Sequence, residues 1–251
     1  MKTTPPSFGS QLKTLREGAG FTQEELATIA GLSVHAVSAL ERGERRRPHF
    51  ETMTLIAAAP RPAHAQARVT PPPVPDQIKI EAGNSAFFVG HAIGTQNYVC
   101  LPSGAGVAYQ LFTPEATLFN DDGRQLTTHF FSPNLNPNPG LDPKELRAIR
   151  ATWEDSRDTS TVWAKVTGSA TSDMFPEFVK KGAVAWVRLE VVGHQDGPTG
   201  GDRLSHTTFI QRLNTVGGVA PSTGCASSAD IGTEAFMPYT ADYFFFRSDD
   251  Q

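Results

Sequence analysis

Long apolar runs are missing from this 251-residue chain. None approaches the ~18–20 residues needed to cross a bilayer as a helix, so a transmembrane helix is excluded. Cysteine is scarce: Cys100 and Cys225 are the only two, too few for a disulfide-rich scaffold or a cysteine-built zinc site. A dominant charge is also absent. Charged residues make up 19%, hydrophobics 39%, and the formal net charge is −4, which excludes a strongly basic or acidic tail protein and does not fit global disorder. There is no internal repeat, no Gly-rich phosphate loop before a helix, no HExxH, no CxxC and no GxSxG. His91, His129, His194 and His206 share no close ligand spacing. No metal site, cofactor or catalytic residue is therefore expected, and the chain does not read as an enzyme.

The charge that is present is unevenly placed. Residues 1–70 carry 9 basic against 6 acidic side chains, and the remainder carries 13 against 20. A small basic unit can approach phosphate, whereas an acidic one is repelled by it. Proline marks the seam. Pro60 and Pro62, then Pro71-Pro-Pro73 and Pro75, remove amide donors and restrict their neighbours, so residues 60–76 read as an extended linker. The expected organisation is a helical unit at 1–59, the linker, and a β-rich unit at 77–251.

In the first unit, Phe8, Leu12 and Leu15 form one apolar helical stripe, halted by Gly18 and Gly20. Thr22 with Glu25 three residues on is a capping box for a second helix, with Leu26, Ile29 and Ala30 inward and Gly31 at its end. Ser33 caps a third helix, with Val37 and Leu40 inward and His35, Ala36, Ser38 and Ala39 outward, closed by Gly43. A short fourth helix, Phe50 to Ala59, is cut off by Pro60. Two short helices joined by a tight glycine turn form a helix-turn-helix.

The second unit reads as strands: Ala86–Ile93, Val107–Phe112, Ala116–Phe119, Gln125–Phe131, Thr161–Val166, Ala183–Val192, His206–Leu213 and Tyr243–Phe246. Asn120-Asp-Asp-Gly123 is a hairpin turn signal, which assigns Asp121 and Asp122 to local hydrogen bonding. Asp142–Trp153 reads as the one helix. Many short strands with Gly/Pro turns predict a β-sandwich or barrel. Trp153, Trp163, Trp186 and Tyr98 are expected in the core, with the lining of a sugar or hydrophobic site as the alternative.

The phrase Thr22-Gln23-Glu24, Leu26-Ala27, Ala30-Gly31, Ser33, Val37-Ser38, Glu41-Arg42-Gly43, with Leu12, Leu15-Arg16 and Pro48, resembles the XRE-type, repressor/Cro-like helix-turn-helix family from about Phe8 to Leu55. The resemblance implies a partner, double-stranded DNA, with the third helix in the major groove. It places Val34, His35, Ser38 and Ala39 at base edges, and Gln23, Ser33, Arg42, Arg45, Arg46 and Arg47 at phosphates. A protein of this kind would regulate transcription in the cytoplasm, with the β-rich unit as sensor or partner-binding module.

Residues 74–247 resemble an uncharacterised, typically secreted family known only as a domain of unknown function. The matching phrases include Gly94-Thr-Gln-Asn-Tyr-Val-Cys100, Phe209-Ile-Gln-Arg-Leu-Asn-Thr-Val-Gly-Gly-Val-Ala-Pro221, Gly224-Cys225 and Pro238-Tyr-Thr-Ala-Asp-Tyr-Phe244. The resemblance implies no activity. Ala63-His64-Ala65 has the A-x-A form of a leader cleavage site. It reads either as a linker of small residues or as the remnant of an exported protein's leader. Cys100 and Cys225 are expected to lie close enough to bridge in an oxidising compartment and to stay reduced in the cytoplasm.

Overall fold

The computed structural model describes residues 8–18, 22–44, 52 and 69–250. The expected fourth helix, the leader-like Ala63–Ala65, the first part of the linker and Arg45–Arg47 lie outside these residues, as do the side chains of Leu15 and Ile29. The chain forms two compact units, Met1–Ala67 and Arg68–Gln251.

The first unit contains α1 (Phe8–Gly18), α2 (Gln23–Ile29) and α3 (Val34–Glu41). The Thr22 hydroxyl accepts from the Glu25 amide at 3.1 Å, and the Glu25 carboxylate accepts from the Thr22 amide at 2.7 Å. This reciprocal box satisfies two of the amides left open at the start of α2. Both helices of the motif stop by the same device. The Leu32 amide donates to the Ala27 carbonyl at 2.8 Å and the Gly31 amide to Thr28 at 3.3 Å. The Glu44 amide likewise reaches Ala39 at 3.0 Å, and the Gly43 amide reaches Leu40 at 3.1 Å. The device needs a left-handed residue after the helix, and Gly31 (φ 63°) and Gly43 (φ 74°) supply it. Leu12, Leu26, Ala27, Val37 and Leu40 make the small core, flanked by Phe8 and Leu32.

The second unit is one antiparallel sheet closed on itself. Its strands are β1 (Asn84–Ser103), β2 (Gly106–Phe119), β3 (Gln125–Pro133), β4 (Ile149–Asp155), β5 (Thr161–Ala170), β6 (Trp186–Gln195), β7 (Phe209–Gly217) and β8 (Glu234–Ser248). Each pairs with the next, and β8 returns to β1 from Asn84 opposite Ser248 to Val99 opposite Glu234. The structure is therefore a barrel and not a sandwich. Closure removes the two edges that an open sheet would leave.

Two expectations about single elements need correction. Asp142–Trp153 is not a helix. Asp142 caps only a 3-10 turn, Pro143–Glu145, and Arg147 at φ 65° breaks it before β4 begins. Pairing of β4 with β3 and β5 then outweighs the helical propensity of the preceding residues. The two expected strands Val107–Phe112 and Ala116–Phe119 are one strand, β2. Pro114 sits beside a register shift in the β1–β2 ladder, where a missing amide is tolerated.

Inside the barrel, Leu118, Trp153, Val162, Leu189, Ile210 and Phe245 are at most 3% exposed and belong to one cluster. A second cluster coats the outer wall, where Ile78, Val179, Trp186, Leu213 and Phe244 pack together with Val69 and Val74. The proline-rich stretch is thus not spacer throughout, because residues 69–80 strap the barrel. Gln211 Nε2 donates to the Ile78 carbonyl at 2.6 Å and Arg188 Nη1 to Lys79 at 3.1 Å. Cys100 on β1 and Cys225 in the β7–β8 connection form a disulfide with Cα atoms 5.5 Å apart, inside the range that permits a bridge without moving the backbone.

Candidate functional sites

In the helical unit, the exposed face of α3 is the candidate nucleic-acid interface. Val34, 42% exposed, and His35 project to solvent, Ser38 is half-buried, and Ser33 sits at the N-terminus. The Ser33 hydroxyl accepts from the Ala36 amide at 3.1 Å, which leaves its own proton for an outside acceptor. Ala39 does not belong to this face. It is 4% exposed, beside Leu40, so it packs into the unit instead of meeting a base edge. On so short a helix a small apolar side chain carries no sign of which side it takes.

The expected phosphate-binding groups are partly engaged within the unit. Gln23 Nε2 donates to Glu41 Oε2 at 2.7 Å. Glu41 also receives Arg16 through Nε at 2.5 Å and Nη2 at 3.1 Å. Burial opposes ionisation of Glu41, but the hydrogen bonds from Arg16 and Gln23 outweigh it and hold the carboxyl below its ordinary value. Glu41 thereby ties α1, the start of α2 and the end of α3 together. Exposed Arg42 forms a fork with Glu44, Nε to Oε1 at 2.7 Å and Nη2 to Oε2 at 3.2 Å, and also reaches the Ser38 hydroxyl. Arg42 meets phosphate only by exchanging Glu44 for it. Arg45, Arg46 and Arg47 lie outside the described residues.

In the barrel, all eight strands line a cavity of about 280 Å³. Its deep wall includes Gln96, His129, Trp153 and Tyr243, each 3% exposed or less. Leu111, Ile149 and Val166, which are 39–57% exposed, line its outer part. His129 stacks on Trp153 with ring centroids 4.2 Å apart. Its Nδ1 lies 2.9 Å from the Thr152 carbonyl, which can only accept, so Nδ1 carries the proton. Burial, with the nearby charge of Arg212, outweighs that bond and lowers the His129 pKa to about 3, so the ring stays neutral. Arg212 holds the Ala185 carbonyl through Nε at 3.2 Å and Nη2 at 2.9 Å.

Outside the cavity, His91 bridges two carboxylates. Nδ1 lies 2.7 Å from Asp242 and Nε2 lies 3.0 Å from Asp121. Only the imidazolium donates from both nitrogens, and the Asp242 bond, followed by Asp121, raises its pKa above the ordinary value despite partial burial. Asp121 therefore does more than shape its turn. Of the cavity residues, the sequence singled out only Trp153 as a candidate site lining, and that as the alternative to core packing. A further signal was Arg212, which alternates onto the inner face with apolar Ile210.

A family model described as Protein of unknown function (DUF3455) matches residues 81–247, which takes in all eight strands of the barrel. The chain belongs to this family. A second model, described as Helix-turn-helix domain, matches residues 7–59, upstream of the DUF3455 barrel. Among curated proteins, the HTH-type transcriptional repressor RghR of Bacillus subtilis (strain 168) is 42% identical over 53 residues, which are 21% of this chain. The chain spans only 39% of that relative's length. No solved structure matches the chain.

Neutral, buried His129 has a consequence for acid stability. The unfolded histidine gains a proton below its ordinary pKa of ~6.5, while the folded one resists protonation down to about 3. Stability is therefore lost as pH falls through that window. Between pH 6.5 and 5 the loss at this residue is about 2 kcal/mol. His129→Gln is expected to reduce the pH dependence of the unfolding free energy by that amount in denaturant melts. An equal slope in the variant would show that His129 titrates normally.

Proposed function

We propose that this chain is a DNA-binding protein, a transcriptional regulator in which α3 enters the major groove and the DUF3455 barrel senses or docks a partner. The observation that carries the reading is α3 itself, capped by Ser33, buried along Val37, Ala39 and Leu40, and exposed along Val34 and His35. The helix-turn-helix family match and the likeness to a repressor support it. With Ala39 turned inward, base reading falls to Val34, His35 and Ser38. Val34 offers apolar contact to a thymine methyl and His35 a single hydrogen bond, so discrimination between sequences is modest. Gln23, Ser33, Arg42 and Arg45–Arg47 supply phosphate contacts that carry most of the affinity. The reading is of a binding protein acting in the cytoplasm, not of an enzyme.

Fluorescence anisotropy of the full chain with a labelled duplex tests this. Binding is expected to weaken with salt, and replacing Arg45, Arg46 and Arg47 by Ala should flatten the log–log salt slope by about 0.9 per lost phosphate contact. Glu44→Gln, which releases Arg42 from its carboxylate, should strengthen binding at low salt. No binding at low salt by the unaltered chain would refute the reading.

A second reading rests on the Cys100–Cys225 bridge. Disulfides persist in oxidising compartments and are rare in the cytosol. Together with the A-x-A phrase at Ala63–Ala65, the bridge favours a barrel that works outside the cytoplasm, with the helical segment as an addition to it. Mass spectrometry of the protein from its native cell separates the two readings. The DNA-binding reading predicts a chain that retains the helix-turn-helix with both thiols reduced. Export predicts a chain starting near Gln66 with the two sulfurs joined.

A further inference from the structure

The barrel cavity has a one-sided charge. Arg150, Lys165 and Arg212 line it, and among the described residues no carboxylate does. This is unexpected in a part of the chain that carries 13 basic against 20 acidic residues beyond position 70. Arg150 is neutralised by a fork with Glu145, at 2.9 and 2.8 Å. Among the described residues, Arg212 forms no ion pair, and its Nε and Nη2 donate to a neutral carbonyl. Its charge is felt by Tyr98, His129 and Tyr239, which places it among the buried polar groups of the interior.

Two donors in the same wall are poorly satisfied. Trp153 Nε1 is buried without a hydrogen-bond partner among the described residues, and Gln96 Nε2 has only a loose polar contact, with the Tyr239 hydroxyl. Gln96 is 1% exposed and Trp153 0%. A buried donor without an acceptor is costly, and nearly all such groups in folded proteins find a partner. One orphaned N–H group, a loosely held amide and an unneutralised guanidinium thus line one cavity. All are donors, so what would satisfy them is an acceptor with negative charge. Neutral His129 adds no further cation at this wall.

The rest of the cavity is apolar. Leu189 and Val187 form part of the wall, and Leu111, Ile149 and Val166 stand at its exposed side. Exposed aliphatic side chains gathered at a cavity mark a surface meant to be covered. With each water taking up ~30 Å³ of liquid, a volume of about 280 Å³ holds a molecule of roughly ten non-hydrogen atoms. Eight-stranded barrels are either filled by side chains or have room for a single small ligand.

We propose that the barrel is a binding site for a small organic carboxylate with an apolar body. The carboxylate pairs with Arg212 and accepts from Gln96, and the hydrocarbon part lies against Leu111, Ile149 and Val166. An inorganic anion would leave the apolar wall uncovered, and a neutral amphiphile would leave Arg212 without a counter-charge. The site gives the barrel half of the function proposed above its ligand class and does not depend on whether α3 binds DNA.

The test is a titration of the full chain with octanoate, octanol and inorganic phosphate, followed by calorimetry and by tryptophan fluorescence, since Trp153 lines the cavity. Octanoate is expected to bind saturably with a change in emission, at least tenfold more tightly than octanol, and phosphate should not compete at equal concentration. Arg212→Gln should abolish the preference for octanoate over octanol. Gln96→Leu, which removes the loosely held donor, should weaken octanoate severalfold. Equal binding of octanoate and octanol, binding of phosphate alone, or no saturable binding of octanoate would each overturn the assignment. The octanol and phosphate arms use the unaltered chain, so the outcome stands even if Arg212→Gln fails to fold. A chain that binds octanoate but no DNA would retain the barrel site and remove the DNA reading. The reverse result would remove the site alone.

Discussion

The pairing of β1 with β8 is the contact on which the rest of the second unit depends. These are the longest strands, of 20 and 15 residues, and they are joined along most of their length. If that ladder opens, the sheet acquires two edges, and the interior becomes a face that must find another covering. With it closed, residues from both ends of the unit stand side by side. Phe88 meets Phe245 at 4.9 Å between ring centroids, and His91 meets Asp242. The disulfide acts at the same seam, since Cys100 lies on β1 and Cys225 just ahead of β8. Backbone bonds from the Gly232 amide to the Cys100 carbonyl and from the Cys100 amide to Thr233, both 2.9 Å, reinforce it.

Closure also decides what the interior can hold. Small closed barrels are either filled by side chains or leave room for one ligand. This one does both: Leu118, Trp153, Phe245 and Ile210 fill part of it, and the remainder is the cavity bounded by Arg212, Gln96 and His129. The helical unit follows a different economy. Its core is a handful of side chains, and buried Glu41 holds the three helices in register by gathering Arg16 and Gln23. Small units of this kind have little buried surface to spare. That makes the polar knot at Glu41 a condition for keeping α3 in a fixed pose.

The sequence made some of this legible and hid the rest for physical reasons. Strands dense in Phe, Val and Ile were visible, as were the capping box at Thr22 and the turn at Gly31. The strand β4 was hidden because Lys144-Glu-Leu-Arg-Ala148 has helical propensity, which a left-handed Arg147 cancels. The first half of β8, Glu234–Ala241, contains Pro, Thr and Ala and shows no strand signal of its own; it is a strand because β1 lies beside it. Alternation tells inside from outside but not whether a sheet closes, so sandwich and barrel were equivalent in the sequence. The cavity was invisible for a related reason. Gln96, His129, Trp153 and Arg212 stand on β1, β3, β4 and β7, and no spacing rule connects residues brought together only by closure. Ala39 was misplaced because a small residue at the margin of a short helix fits either face.

Both the cavity and the disulfide seam presuppose a closed ring, and amide hydrogen exchange followed residue by residue by NMR tests it most directly. In β1, successive amides point alternately toward β2 and toward β8. A closed barrel predicts that both sets along His91–Asn97 exchange equally slowly, together with the facing amides of Phe236–Asp242. Slow exchange for the β2-facing set alone, with the β8-facing amides exchanging as a free edge, would contradict closure and with it the cavity.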